Sequence, residues 1–135
     1  AIGEAIGLGS ALNYLNFIGL NKIEKYEQEI TKYLFHKLES IQEIKILGPN
    51  PMNQTKRGAL ATFYIPEIHS NDIAELLDKQ NICIRSGHHC CQPLHRHYSL
   101  KATARASLSF TSTKEEIDNL TEELKSIIAF IKKYS

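Results

Sequence analysis

Apolar residues recur at intervals of three and four in the first third of the chain, and this spacing predicts two helices. The opening helix is expected to end at Gly19, because glycine readily adopts the backbone conformations that terminate a helix. Asn21 and Glu24 have the spacing of a capping box, so a longer helix is predicted from there to about Ser40. Its apolar stripe comprises Ile23, Tyr26, Ile30, Leu34, Leu38 and Ile41.

Two further helices are predicted later in the chain by the same pattern. Ser70 is expected to cap a short helix that closes near Asn81 and buries Ile73, Leu76 and Leu77. Ser112 and Glu115 form another predicted capping box, which begins a final helix with one apolar stripe. The residues of that stripe are Ile117, Leu120, Leu124, Ile128 and Ile131.

Three stretches have the composition or the alternation of β-strands. The first runs from Ala59 to Ile65, and the second covers residues 82–85. The third, residues 103–110, alternates apolar and polar side chains, so Arg105 is expected to project away from the core. Interleaved with the helices, these strands predict an α+β fold, a small antiparallel-type sheet with helices packed on one face.

The composition excludes several classes of protein. The chain has 135 residues, enough for one domain, and 42% are hydrophobic while 23% are charged, the balance of a folded globular protein. Lys and Arg number 16 and Asp and Glu 15, so the net charge is +1. Nucleic acids and anionic membranes require a basic surface, so neither is expected as a partner. No apolar run approaches the roughly 20 residues of a membrane span.

The cysteines and the start of the chain suggest where the protein works. The cysteines number three, an odd count, and Cys90 and Cys91 are adjacent, which favours free thiols in a reducing compartment. The start of the chain lacks the pattern of a secretory signal. It also opens directly within a predicted helix, so we expect it to be a piece of a longer protein. Its many Ile, Lys and Asn residues fit an AT-rich genome. Together these features suggest a bacterial cytoplasm or a plastid-type organelle.

The candidate chemistry is concentrated in residues 86–102, between the second and third predicted strands. This segment holds four of the chain's six histidines and two of its three cysteines. Long connections within a compact domain commonly carry function. Cys90 is a candidate nucleophile, because His88 and His89 precede it, Arg85 lies upstream, and such neighbours favour the thiolate.

Other interpretations stay open on the residues alone. The density of His and Cys suggests a zinc site, although adjacent ligands point apart in an extended chain and no C-x₂-C or H-x₃-H pair is present. The segment can also be a polar loop in which histidines cap the backbone and cysteines pack as small hydrophobes. Cys83, in an apolar predicted strand, is expected to pack in this way. Either interpretation would make the chain a non-catalytic module that binds zinc or a partner protein.

Arg105 has two interpretations as well. An arginine on the polar face of a strand is commonly a solvated charge or one half of an ion pair. Its neighbours Ala104, Ala106 and Ser107 are small, however, and its strand directly follows the candidate loop. A guanidinium in that setting can grip a carboxylate through two parallel hydrogen bonds.

The residues of this loop and strand resemble a known family. R-S-G-H-H-C from Arg85, Q-P-L-H from Gln92 and T-A-R-A-S from Thr103 closely resemble the C-terminal part of the SUF-type (group II) cysteine desulfurases. These are pyridoxal phosphate (PLP) enzymes of the aspartate-aminotransferase superfamily, and the resemblance extends over essentially the whole chain. It implies that residues 1–135 form the C-terminal small domain of PLP fold type I. Residues 1–20 would then be the helix that connects it to a cofactor domain, and residues 86–102 the nucleophile loop.

The resemblance also implies an activity and roles for single residues. The enzyme would convert L-cysteine to L-alanine and hold the sulfur as a persulfide on Cys90. Arg105 would bind the substrate carboxylate, Arg85 would lie near the substrate, and His88 and His89 would support the loop. A SUF sulfur-acceptor protein would collect the sulfur for iron–sulfur cluster assembly, and the parent enzyme would be a homodimer.

Two departures from the family pattern affect these expectations. A small unreactive residue usually follows the nucleophile, whereas here it is Cys91. We interpret Cys91 as inert filler; a strained disulfide with Cys90 or interception of the persulfide are the alternatives. The family's Schiff-base lysine has no match, and Lys101 should not be given that role. The chain alone is therefore expected to hold neither PLP nor a metal and to be inactive.

Overall fold

The computed structural model describes residues 1–53 and 57–134. In chain order its helices are α1 (Ile2–Ile18), α2 (Leu20–Glu39), α3 (Ser70–Asp78), α4 (Gln92–His97) and α5 (Lys114–Tyr134). Its strands are β1 (Lys45–Leu47), β2 (Leu60–Tyr64), β3 (Arg85–Gly87) and β4 (Thr103–Ser107).

The four strands form one antiparallel sheet in the order β1-β2-β4-β3. In the register of β2 with β4, Ala61 lies opposite Ala106 and Phe63 opposite Ala104. Residues directly opposite in a sheet share a face, and all four of these are buried. They pack into one core with α2, α3 and α5. The predicted α+β fold, an antiparallel sheet with helices on one face, is therefore confirmed.

The other face of the sheet is covered in part by α4, in the segment predicted as a loop. Pro93 lies in the first turn of α4, a position that tolerates proline because the N–H there has no partner within the helix. His95 of α4 contacts Thr103 of β4 through a hydrogen bond. Thr103 is consequently fully buried, although it belongs to the polar positions of its strand.

The helix starts differ from the predicted caps by one or two residues. Gly19, at φ 95°, ends α1 and also precedes the first residue of α2, so the predicted start at Asn21 is wrong. His69 precedes α3 and its Nδ1 accepts a hydrogen bond from the Asn71 N–H, whereas Ser70 lies within the helix. Before α5 the hydroxyl of Ser112 accepts from the Ser109 N–H instead of capping the helix. The capping box consists of Thr113 and Glu116, which bond reciprocally at 3.2 and 2.9 Å.

The strands also differ from their predicted limits. β1 has three residues, too few to show alternation, and was not predicted. β3 covers residues 85–87 instead of 82–85, because only those residues pair with β4. The predicted burial of Cys83 is wrong, since this residue precedes β3 and is exposed. The strand predicted for residues 103–110 ends at Ser107.

Helix α1 packs on α2, and none of the α1 side chains is buried. Ile2, Ile6 and Phe17 are exposed to 81%, 67% and 89%. Within the described residues, no helix combines the length and the apolar character needed to cross a membrane.

Candidate active site

The centre of the candidate site is a pair of arginines on neighbouring strands. Arg85 of β3 lies directly opposite Arg105 of β4 in the antiparallel register, so both side chains leave the same face of the sheet. Like charges in that position repel each other. None of the ion pairs found among the described residues includes either arginine. The Nε of Arg105 is moreover buried without a hydrogen-bond partner in the described structure. The pair is thus suited to bind an anion.

Cys90 lies beside Arg85 of this pair. The Nη2 of Arg85 donates towards the Cys90 sulfur at 3.9 Å, and Cys90 is exposed. His89 and Cys90 both have left-handed backbone conformations, with φ angles of 51° and 58°. Such conformations are uncommon for residues other than glycine and concentrate at functional sites. The turn thus presents a free, exposed thiol next to a guanidinium.

Hydrogen bonds hold this turn against β4. The Nε2 of His89 donates to the carbonyl of Thr103 at 3.1 Å. His95 donates from Nδ1 to the carbonyl of Cys91 at 3.0 Å, and its Nε2 lies 3.0 Å from the Thr103 hydroxyl. The N–H of Cys91 donates to the His88 carbonyl at 2.8 Å. Neither Thr103 nor His95 was among the predicted site residues. The spacing of Cys91 and His95, one helical turn apart at the start of a proline-containing helix, was the available signal.

An open cavity of about 290 Å³ lies between the sheet and α4. Its apolar wall includes Leu47, Leu60, Leu94, Tyr98 and Leu100. Its polar lining includes Arg57, Thr62, His89, His95, Thr103 and Arg105. A largely apolar cavity with a few converging polar groups is the usual form of a small-molecule site. Cys91 lines this cavity, whereas Cys90 lies outside its lining, next to Arg85.

The charge state of His89 follows from its surroundings. Burial lowers the pKa of His89 below its usual value of 6.5, and the positive charges of Arg105 and Arg85 lower it further. The hydrogen bond to the Thr103 carbonyl acts in the opposite direction and is the weaker effect. His89 is therefore neutral at pH 7 and carries its proton on Nε2, the nitrogen that donates to Thr103. Its Nδ1 is buried and has no hydrogen-bond partner within the described residues.

The structure places the five predicted site residues as follows. Cys90, Arg85, Arg105 and His89 lie around the end of the β3–β4 pair. His88 is exposed, and its ring contacts His95 edge to face at 5.3 Å between centroids. Among the described residues no group of three or more His, Cys, Asp or Glu side chains is arranged to hold a metal ion.

The cavity does not make a PLP site by itself. PLP enzymes hold their cofactor through a lysine Schiff base, and no lysine is among the described residues that line the cavity. Lys101 belongs to a separate depression next to Tyr64 and Pro66.

The chain is similar to known proteins over most of its length. The chain is 47% identical over 130 residues to a probable cysteine desulfurase of Synechocystis sp., covering 96% of this chain and 31% of that protein. It is 43% identical over 124 residues to a probable cysteine desulfurase of Halalkalibacterium halodurans, covering 92% of this chain and 29% of that protein. The chain thus spans about 30% of the length of these curated relatives.

Solved structures and family models extend the comparison. The apo structure of the cysteine desulfurase from Thermococcus onnurineus NA1 superposes with a TM-score of 0.87 at 31% identity, covering 95% of this chain and 31% of that one. This likeness confirms the predicted PLP-enzyme fold. The model of the aminotransferase class-V family matches residues 1–120. Since this match covers well over half of the sequence, the chain belongs to the class-V aminotransferase family.

Proposed function

We propose that this chain is the C-terminal domain of a SUF-type, PLP-dependent cysteine desulfurase, in which Cys90 accepts sulfur from L-cysteine. The named relatives support the general activity. The SUF subtype is supported by the R-S-G-H-H-C motif and the Q-P-L-H that follows it. Residues 1–20 would connect to the cofactor domain, and residues 86–102 would be the nucleophile loop.

One observation carries the proposal: Arg85 and Arg105 lie opposite each other in the sheet with no ion-pair partner among the described residues, and the Arg85 Nη2 lies 3.9 Å from the Cys90 sulfur. The carboxylate of an amino acid has the charge that would offset the repulsion between these two guanidiniums. Arg105 can bind it through two parallel hydrogen bonds, which a planar guanidinium does better than an ammonium. The same pair of strands thereby places the substrate close to the thiol.

Cys90 serves as the sulfur acceptor in this proposal. Its thiolate forms a bond to the substrate sulfur, and the bond between that sulfur and the substrate Cβ breaks. The products are a persulfide on Cys90 and L-alanine, so that one thiol and one cysteine give one persulfide and one alanine without an external oxidant or reductant. Arg85 contacts the thiol that makes this attack.

Residues outside this chain complete the enzyme. The lysine and the other groups that hold PLP would belong to a cofactor domain, and PLP would withdraw electrons from the bound amino acid. The domain alone is then inactive, and the complete enzyme acts as a homodimer. A SUF acceptor protein would take the sulfur from Cys90 for iron–sulfur cluster assembly, in a bacterial cytoplasm or a plastid-type organelle.

The test uses the complete enzyme with PLP, treated with L-cysteine in the absence of reductant. Peptide mass mapping should place one additional sulfur atom on Cys90. Cys90→Ser should lower alanine release by about three orders of magnitude or more, because a nucleophile has no substitute in the reaction. The cofactor absorbance should be unchanged.

Cys91→Ser and Cys83→Ser are matched controls, since both replace exposed thiols of the same chain. Both variants should release alanine at close to the wild-type rate. An additional sulfur that maps to Cys83 or Cys91 and never to Cys90 would contradict the assignment.

A further inference from the structure

We infer that Thr103 and His95 are positioning residues that hold the turn at His89 and Cys90, called here the Cys90 turn, in the conformation needed for reaction. This inference rests on the proposed function. Thr103 engages both sides of the turn at once. Its carbonyl accepts from His89, the residue before Cys90. Its hydroxyl pairs with His95, which in turn donates to the carbonyl of Cys91, the residue after Cys90. We call Thr103, His89 and His95 the Thr103 clamp.

The hydrogen bonds of the clamp determine where its protons lie. A carbonyl only accepts, so Nδ1 of His95 must carry the proton that it donates to Cys91. In the neutral imidazole Nε2 is then an acceptor, and the Thr103 hydroxyl donates to it. Both side chains are buried, Thr103 at 0% and His95 at 5% exposure. Losing the hydroxyl would leave a buried acceptor without a donor, which is unfavourable.

The clamp opposes the intrinsic preference of the backbone. His89 and Cys90 have consecutive positive φ angles, which are disfavoured for side chains with a Cβ. Residues in such a conformation relax unless their surroundings hold them. The clamp bonds attach the residues on both sides of Cys90 to β4, so they help to keep the turn in the observed conformation.

The clamp also couples the turn to the substrate-binding arginine. Thr103 and Arg105 are two residues apart on β4 and therefore point to the same face of the sheet. The strand that binds the carboxylate thus also sets the position of the thiol. Displacing the turn should reduce the rate of sulfur transfer while leaving cysteine binding to Arg105 intact.

The test compares Thr103→Val, which removes only the hydroxyl, with Thr103→Ser, which keeps it, in the complete PLP enzyme. Single-turnover persulfide formation at saturating cysteine should slow about tenfold to a hundredfold in Thr103→Val, because small misplacements of reacting groups have effects of this size. KM should stay close to wild type. Thr103→Ser should restore most of the rate, and His95→Asn should behave like Thr103→Val.

Thr121→Val is the matched control, since Thr121 is also buried but its hydroxyl bonds to carbonyls within α5. Thermal unfolding of each variant verifies that it is folded. If folded Thr103→Val and His95→Asn form the persulfide as fast as Thr121→Val, the inference is wrong. It is equally wrong if Thr103→Ser is as slow as Thr103→Val.

A second measurement keeps this inference separate from the proposed function. The alkylation rate of Cys90 by iodoacetamide, mapped by peptide mass without any substrate, reports the position of the turn directly. It should change severalfold in Thr103→Val and not in Thr121→Val. An unchanged alkylation rate would overturn the clamp even if Cys90 carries the persulfide. A changed rate in an enzyme that forms no persulfide would retain the clamp and reject the function.

Discussion

Individual side chains at the end of the β3–β4 pair have environments that their own types do not specify. Arg85 and Arg105 are twenty residues apart in the sequence and directly opposite each other in the sheet. An ordinary surface arginine would be solvated or paired with a carboxylate. Here the strand pairing sets the two arginines opposite each other, and one of them, Arg85, contacts the Cys90 thiol, which favours an anion site over an ordinary polar surface.

Arg105→Lys tests the carboxylate-binding role at this scale. The variant keeps the positive charge but loses the planar fork, so the KM for cysteine should rise about tenfold to a hundredfold, the equivalent of one charge-assisted hydrogen bond. Steady-state kinetics of the complete enzyme measure this change. Arg96→Lys, at an exposed position of α4, should leave the KM unchanged. An unaltered KM in Arg105→Lys would remove Arg105 from the substrate site.

At the scale of elements, β2 and β4 join the helical core to the candidate site. One face of each strand packs on α2, α3 and α5, and the other face lines the cavity. The β3–β4 pairing places Arg85, whereas α4 and its contacts with Thr103 place the thiol turn. The site therefore depends on a sheet whose stability comes from its opposite face.

Phe63→Ala tests this dependence. Phe63 is fully buried, so the free energy of unfolding should fall by about 3–5 kcal/mol, from lost burial and the cavity that remains. Chemical denaturation measures this change. The neighbouring Tyr64 faces the opposite side and is half-buried, so Tyr64→Ala should have a clearly smaller effect. Equal losses in both variants would contradict the observed facing of β2.

For the whole molecule, burial of a histidine couples folding to pH. The pKa of His89 in the folded protein lies below its usual 6.5, chiefly because of burial. Between the two values the unfolded chain binds a proton that the folded chain does not. His89 therefore adds no pH dependence above about pH 6.5, and stability decreases as the pH falls below it.

Urea denaturation at pH 7.5 and pH 5.5 measures this dependence. The wild-type protein should lose stability between the two values, and His89→Asn should lose less, because asparagine does not titrate. His36→Asn, at an exposed position of α2, should behave like wild type. The acidic groups with lowered pKa, Glu43 and Asp118, titrate below this interval and should not obscure the result. Identical losses in wild type and His89→Asn would contradict the effect.

Local patterns in the sequence determined the fold class, the long helices and the alternation of β4, since periodicity and burial act over a few neighbouring residues. The motif around Cys90 likewise indicated its candidate chemistry. The exact caps, the three-residue strands and the exposure of Cys83 depended on pairings between distant segments. Only the tertiary structure set Arg85 opposite Arg105 and brought His89 and His95 into hydrogen-bond contact with Thr103. Strand register and buried hydrogen bonds are decided by the packing of the whole domain, and no local pattern contains them.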